Sequence, residues 1–280
     1  MNVPMVTREL VFRLEGAEAA YHEAKLCALS ADGDSSRGVE IARLGGCRLL
    51  SIHDWGHNPS YNRAMCFAKE DEAHLEEIVC WLRERAERFW FDVAPALGDG
   101  AVLGKLGDGG LCPSFLLNVV YTVPQETGGP APAGVAVEEI RLERRAHDFA
   151  VALVEGFGIP HEALAGTERR VQIEYAAPEW RIYLASADGR PAAMATLYVD
   201  GDMASIDGMA TAPQYRRRGC QTVLLRRCIT DAARAGCGLL ASQTEPSSTS
   251  ERNMVRAGFR IAYTKVLYSE RESLQGTPAV

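Results

Sequence analysis

The sequence predicts a mixed α/β fold in two halves, each a central, mostly antiparallel sheet flanked by helices. Three observations carry this expectation. Short apolar runs alternate and are separated by Asp-Gly turns such as Asp188-Gly189 and Asp200-Gly201, which is the period of half-buried strands joined by hairpins. Between them lie stretches whose apolar residues recur three and four apart, the period of helices. The 280-residue chain is also interrupted near its middle by VPQETGGPAPAGVA, residues 123–136, with three prolines and three glycines. That is linker chemistry. The expected division is therefore a domain over 1–122, a linker over 123–136 and a second domain over 137–280, a size at which two domains are natural.

In the first half, residues 42–52 and 64–68 read as strands. Asp71 stands where an N-cap belongs, ahead of Leu75, Ile78, Val79, Leu82, Ala86 and Phe89, one apolar stripe that faces a sheet. FWFDVAP reads as a short buried strand, residues 98–107 as a glycine-punctuated helix, and SFLLNVVYTV as a closing strand. The second half runs in the same order. RIYLASA, AAMATLYVD and ASIDGMAT form an antiparallel run, and a helix follows from about Gln221 to Ala235, ended by Gly236. Then come the strand GLLASQT, a helix opened by a Ser248/Glu251 capping box, and the strand FRIAYTKVLY. His147-Asp148 begins a further amphipathic helix. Both halves pass from a helix through glycine into a long terminal strand, which reads as a degenerate internal duplication.

Charge and composition narrow the function. With 30 basic and 37 acidic residues the net charge is −7, the opposite of a nucleic-acid footprint. No run approaches the roughly 18 apolar residues of a membrane helix, and the start lacks an export signal. The eight cysteines are scattered without a C-x-x-C pair, so they read as reduced thiols of a cytoplasmic protein and not as a zinc site. His53, Asp54 and His57 are a weak metal candidate in a polar loop with no further ligand nearby. No metal, nucleic acid or membrane partner is expected, and the chain is read as a monomer or homodimer.

The segment that carries chemistry is IDGMATAPQYRRRGCQTVLL, residues 206–225. It reads as strand, proline turn, basic glycine loop and helix. A helix start leaves N–H groups over and its dipole favours negative charge there. Gly219 lets the backbone approach a ligand closely, while Arg216, Arg217 and Arg218 add cations that fork onto phosphate oxygens. On its own, R-x-x-G is equally a solvated basic turn. It is neither a P-loop nor a dinucleotide turn. The first half has Lys69-Glu70 at the matching place, with no glycine and acidic neighbours, so an anion would be repelled there.

Residues 135–268 resemble the GNAT superfamily of N-acyltransferases, which bind acyl-coenzyme A. Met209-Ala210-Thr211-Ala212-Pro213 stands for the family's strand end, and Arg216-Arg217-Arg218-Gly219-Cys220-Gln221 for its [Q/R]-x-x-G-x-[G/A] loop. Met254-Val255-Arg256-Ala257-Gly258-Phe259 stands for its closing Tyr-Glu-Lys-x-Gly-Phe. The resemblance implies a tandem arrangement, with an amino-terminal GNAT-like half that lacks the phosphate loop and a cofactor-binding carboxy-terminal half. It implies acetyl-CoA as acyl donor, held by Met209, Ala210, Thr211, Arg216, Arg217, Arg218, Gly219, Cys220, Gln221 and Thr222, with Ser247 and Asn253 beside them. Two positions depart from the pattern. Gln221 replaces a small residue, and Met254 replaces the tyrosine that protonates the leaving thiolate in many members; methionine has no proton to give.

The reaction so implied is acetyl transfer to a primary amine of a small molecule. It needs a neutral amine, a polarised carbonyl and a released thiolate. Gly208 is consistent with a bulge that frees backbone N–H groups, or with a plain weakened strand. Asp207 and Glu245 are the two candidates for general base, and Tyr198 and Tyr263 for acid. Cys220 is a poor candidate for an acyl-cysteine, although a helix start lowers a thiol pKa. Two other readings stay open. The donor could be a longer acyl-CoA, an acyl carrier protein thioester or an aminoacyl-tRNA, or the chain could be a non-catalytic acyl-CoA sensor.

Overall fold

A computed structural model of the chain describes residues 3–271. Its first part runs α1 (Arg8–Ala31), β1 (Val39–Leu44), β2 (Cys47–Ile52), β3 (Arg63–Met65), α2 (Leu75–Arg83), β4 (Trp90–Val93), α3 (Gly100–Asp108) and β5 (Leu111–Thr122). Its second part runs β6 (Val135–Glu139), α4 (Leu142–Phe157), α5 (Leu164–Glu174), β7 (Trp180–Ala187), β8 (Arg190–Asp200) and β9 (Met203–Thr211). It closes with α6 (Cys220–Arg234), β10 (Leu239–Thr244), α7 (Thr249–Arg256) and β11 (Arg260–Glu270). The expected mixed α/β class with helices flanking sheets is what the structure shows.

The chain forms two compact units. Among the described residues the amino-terminal unit holds 4–119, 244–246 and 261–271. Its strands follow the order β1-β2-β3-β4-β11-β5. β1–β2, β2–β3 and β4–β11 are antiparallel, and β3–β4 is parallel. Its apolar core joins Leu49, Ala64, Phe91 and Tyr268 of the sheet to Ile78 and Leu82 of α2 and Val102 and Leu106 of α3. The carboxy-terminal unit holds residues 120–243 and 247–260, with strand order β6-β7-β8-β9-β10. Here β6 to β9 pair antiparallel in turn, and β9–β10 is parallel. Val223, Leu224, Cys228 and Ile229 of α6 pack on Tyr183, Ala193, Leu197, Ile206 and Leu240.

Several boundaries differ from the sequence reading. Residues 42–52 are not one strand but a hairpin, broken at Gly45-Gly46 where Gly45 has φ +59°. Asp71 does not cap α2. It is buried in a 3-10 turn, where its carboxylate accepts from the N–H groups of Gly46 (2.7 Å) and Ala68 (3.1 Å) and so ties the hairpin turn down. β11 belongs to the amino-terminal unit from residue 261 on, whereas α7 just before it belongs to the carboxy-terminal unit. The proline-rich segment is not a loose tether either. Thr127 N–H donates to Thr230 Oγ1 (3.2 Å), Thr127 Oγ1 to Arg226 O (3.3 Å), and Glu126 pairs with Arg234 (2.9 Å), so residues 126–127 are fastened to α6, and residues 135–136 already belong to β6. Among the described residues no helix is long and apolar enough to cross a membrane.

Candidate functional site

The carboxy-terminal unit departs from a regular sheet at β9. The β8–β9 register shifts between Thr196 and Leu197, because Thr196 pairs with Gly208 and Leu197 with Ile206. Asp207 is thus the extra residue of a bulge, a device that re-aims a side chain. Gly208 N–H donates to Thr196 Oγ1 (3.0 Å), so the bulge noted as one option for Gly208 is present. The β9–β10 ladder ends at Ile206↔Ser242, where Ser242 Oγ donates to Ile206 O (2.9 Å). Pairing of β9 with β8 continues to Thr211. The β10-facing edge of Met209–Thr211 therefore lies outside that ladder, as a strand edge with backbone groups to offer. Thr211 Oγ1 is buried with no hydrogen-bond partner among the described residues. On the helix side Gly156 of α4 is closely packed, since a Cβ there would stand 2.6 Å from Ala210 Cβ.

Beyond β9 the chain makes a 3-10 turn over Pro213–Tyr215 and enters the arginine loop. Arg217 (φ +62°) and Gly219 (φ +85°) both adopt left-handed backbone on either side of Arg218, the kind of turn that gathers N–H groups into an anion-binding concavity. A Cβ on Gly219 would meet Pro132 Cγ at 2.7 Å, so glycine is required here by both φ and space. No side chain caps α6, and its first turn holds no acidic residue. The N–H groups of Cys220, Gln221 and Thr222 are those a helix start leaves over. Arg216 Nε donates to Thr211 O (3.3 Å), and Arg218 pairs with Asp188 of the β7–β8 turn (2.7 Å). Arg217 and Thr222 are exposed.

The two departures from the family pattern find physical reasons. Gln221 points to α7, donating to Ser250 Oγ (3.2 Å) and accepting from Asn253 Nδ2 (2.6 Å). Its bulk is thereby taken out of the loop. Met254 is 1% exposed and part of the apolar core. Ser247 has φ +61° and is exposed, its N–H donating to Glu251 Oε1 (3.2 Å). Cys220 corrects an expectation: its thiol is pushed up, not down, because burial outweighs the lowering by Arg218.

The structure separates the acid–base candidates. Asp207 is half-buried, and Tyr175 at the end of α5 donates its hydroxyl to Asp207 Oδ2 (3.0 Å). Glu245 is exposed just past β10, in the segment 244–246 assigned to the amino-terminal unit. Tyr198 packs its ring on Trp180 (4.8 Å). Tyr263 is committed elsewhere, donating to Glu15 Oε1 (2.6 Å) in the amino-terminal unit, and burial beside that carboxylate drives its phenol far up.

A cluster that sequence reasoning missed lies in the amino-terminal unit. Lys265 of β11 is fully buried, with Glu15 (3.1 Å) and Glu18 of α1 and Asp92 of β4 (3.2 Å) around its ammonium. Arg63 of β3 pairs with Asp92 and with Glu18 (3.0 Å), and meets His22 Nε2 at 2.9 Å. Burial, ahead of the opposing Lys265, raises the Glu15 pKa, and burial with Arg63 holds His22 well below its usual range. Glu15, Glu18 and Asp92 bring carboxylate oxygens within 4.8 Å of one another, but Lys265 Nζ is already paired with all three. The signal was the spacing of Glu15, Glu18, His22 and Lys25 on one helical face. His53, Asp54 and His57 are not part of any such group among the described residues.

Comparison with known proteins agrees with this geometry. Residues 147–259 match the model of the acetyltransferase (GNAT) family. No protein in the curated set matches the sequence. Among solved structures, a GCN5-related N-acetyltransferase from Sphaerobacter thermophilus is 18% identical over 90% of this chain and 92% of its own, with a TM-score of 0.59. One from Kribbella flavida is 16% identical over 89% and 95%, with a TM-score of 0.60. A tandem GNAT protein from the clavulanic acid biosynthesis pathway is 14% identical over 95% and 96%, with a TM-score of 0.59. At these identities the likeness is one of fold. The family match adds support for acyl transfer as the chemistry.

Proposed function

We propose, from the premise that residues 147–259 form a GNAT acetyltransferase domain, that the protein transfers an acetyl group from acetyl-CoA to a primary amine of a small molecule. The observation that carries this reading is the conjunction of an uncapped, acid-free helix start at α6 with a strand edge at Met209–Thr211 outside the β9–β10 ladder. The residues fit a phosphorylated thioester carrier on two grounds. Arg217 and Gly219 take left-handed backbone on either side of Arg218, a turn that gathers N–H groups toward an anion, and the buried Thr211 hydroxyl lacks a partner among the described residues. Arg216, Arg217, Arg218 and the first-turn amides of α6 would hold phosphate oxygens. The backbone of Met209, Ala210 and Thr211 would take the extended arm.

The bound thioester supplies an activated acyl carbon. The chain's residues do the rest. Asp207 accepts a proton from the ammonium form of the acceptor, leaving a nitrogen lone pair to attack the acyl carbon. The new C–N bond forms as the C–S bond breaks, and the second nitrogen proton ends on the departing sulfur. A backbone N–H on the β10-facing edge of Met209–Thr211 would polarise the acyl oxygen. Met254 donates no proton, so the thiolate, a good leaving group, takes its proton from the amine or from water.

Calorimetry with acetyl-CoA tests the donor. Micromolar binding by the wild type, abolished in Arg218→Glu and Gly219→Asp, is the expected result. Absence of binding by the wild type would sink the acetyl-CoA reading and leave a larger or carrier-bound donor.

A further inference from the structure

Within the carboxy-terminal unit a cavity of 570 Å³ opens between the end of β6, the first turn of α4, the end of α5 and the start of β7. Two aromatic residues stand in its lining, beside Ile140, Leu142, Gln172 and Ile182. Tyr175 and Trp180 stand edge to face at 4.7 Å and 78°, Trp180 is backed by Tyr198, and Tyr175 by Phe149. Glu139, Arg141 and Glu143 also line it. Glu139 is already paired with Arg227 (3.2 Å). Tyr175 belongs to two places at once: its ring lines this cavity, and its hydroxyl is bonded to Asp207 at the β9 bulge.

We infer that this cavity receives the acceptor, that the acceptor is a primary amine carried on an apolar ring, and that Tyr175 is the positioning residue that aims Asp207 at its nitrogen. The inference rests on the acetyltransferase reading of the same unit and adds to it the acceptor's class and place. Packed aromatic faces favour a flat apolar body and attract an ammonium group. A small number of polar groups around such a wall sets orientation. The Tyr175 hydroxyl donates to Asp207 Oδ2 and thereby helps set the orientation of the carboxylate. Without that bond the base loses its aim, which is felt in the chemical step more than in binding.

The test uses the full chain and 2-phenylethylamine, with spermidine as a cation that lacks a ring. Binding of each amine is measured by calorimetry without donor, and CoA release is followed with acetyl-CoA. The ring-bearing amine is expected to bind and to be acetylated with a KM roughly tenfold below that of spermidine. Ala176→Trp, an exposed lining position, is expected to raise that KM roughly tenfold by filling the mouth, with acetyl-CoA binding unaltered. Tyr175→Phe keeps the ring and is expected to lower kcat roughly tenfold with KM nearly constant. Acetyl-CoA binding with no binding or turnover of 2-phenylethylamine overturns the inference and spares the acetyltransferase reading. So does an Ala176→Trp variant with wild-type KM, while a Tyr175→Phe variant with wild-type kcat removes the positioning role. Loss of acetyl-CoA binding by the wild type overturns the acetyltransferase reading instead, and donor-free amine binding then decides the cavity.

Discussion

Each unit contains a parallel strand pair joined by a helix, β3–α2–β4 in the amino-terminal unit and β9–α6–β10 in the carboxy-terminal unit. In the first, β3 ends at Met65, one residue past its last position paired with β4, and the chain turns into a 3-10 helix holding Glu70, Asp71 and Glu72 ahead of α2. Glu76 and Glu77 then occupy the first turn of α2. In the second, β9 runs five residues past the end of its ladder, three arginines follow, and the first turn of α6 is free of acid. One crossover satisfies its helix dipole with its own carboxylates, and the other has no carboxylate in its first helical turn. The units also differ in where charge is kept. The carboxy-terminal unit has its arginines at the surface, while the amino-terminal unit buries Arg63 and Lys265 among Glu15, Glu18 and Asp92. The difference teaches that the same strand–helix–strand frame serves binding or internal closure according to which groups are left without a protein partner.

The largest effect comes from taking one cation from each unit. Lys265→Met leaves three buried carboxylates facing Arg63 alone and should cost about 3–5 kcal/mol, read as a lowered urea midpoint. Lys265→Met combined with Glu18→Gln should recover part of the loss. Arg218→Met in the other unit should leave the midpoint unchanged while weakening acetyl-CoA binding. Equal stability losses from the two single variants would break the comparison.

Much of the carboxy-terminal site was legible because its signals are local. Gly219, the three arginines and the Ser248/Glu251 cap declare themselves within a few residues, and the capping bond from Glu251 N–H to Ser248 Oγ (3.1 Å) is present. The amino-terminal unit hid its logic for an equally physical reason. α1 buries Glu15, Glu18, His22 and Lys25 along with Leu14 and Leu26, so a reader of periodicity meets charge on the face that should be apolar and sees no helix stripe. Lys265 and Tyr263 sit in a strand that follows α7 directly, and nothing local says which unit will take that strand. Tyr175 stayed unread because a lone tyrosine at a helix end gains its role only through a residue 32 positions on.

The buried cluster also makes the amino-terminal unit sensitive to acid. His22 stays neutral when folded, since burial, Arg63, Lys25 and Lys265 all lower its pKa, whereas the unfolded chain takes up a proton near pH 6.5. Stability should therefore fall as pH drops below about 6.5, by at most about 1.4 kcal/mol per pH unit. Glu15 acts in the opposite sense, because its raised pKa makes the folded state hold a proton that the unfolded chain has lost above pH 4.5. His22→Gln, which keeps an acceptor for Arg63, should flatten the acid slope between pH 6.5 and 5 in chemical denaturation. An unchanged slope would remove His22 from the account.

A single substitution can give α6 the furnishing of α2. Thr222→Glu places a carboxylate in the exposed first turn of α6, as Glu76 and Glu77 stand in α2. The helix dipole predicts a gain of about 0.3–1 kcal/mol in stability. On the proposed function the same carboxylate competes for the amides that would hold phosphate, so acetyl-CoA binding should weaken roughly tenfold. Opposite signs in melting and in calorimetry are the expected outcome, and a variant that gains both stability and affinity would contradict it.

The smallest effect concerns Asp188, the carboxylate that the carboxy-terminal unit does place on its loop. Its bond to Arg218 is exposed, and such pairs contribute little to folding. Asp188→Asn should leave the unfolding midpoint where it is, and the asparagine tolerates the left-handed backbone that Asp188 adopts (φ +51°). Arg218 then loses a competing anion, and acetyl-CoA should bind roughly two- to fivefold more tightly at low salt, with the gain shrinking as salt screens the pair. In the amino-terminal unit the corresponding change, Asp92→Asn, removes a buried partner of both Arg63 and Lys265 and is expected to destabilise the protein outright. If the two asparagine variants behaved alike, exposure would not be what separates a ligand's cation from a structural one. If they diverge as described, the arginine loop is held open by a weak anion that a phosphate displaces, and the buried cluster by strong ones that nothing displaces.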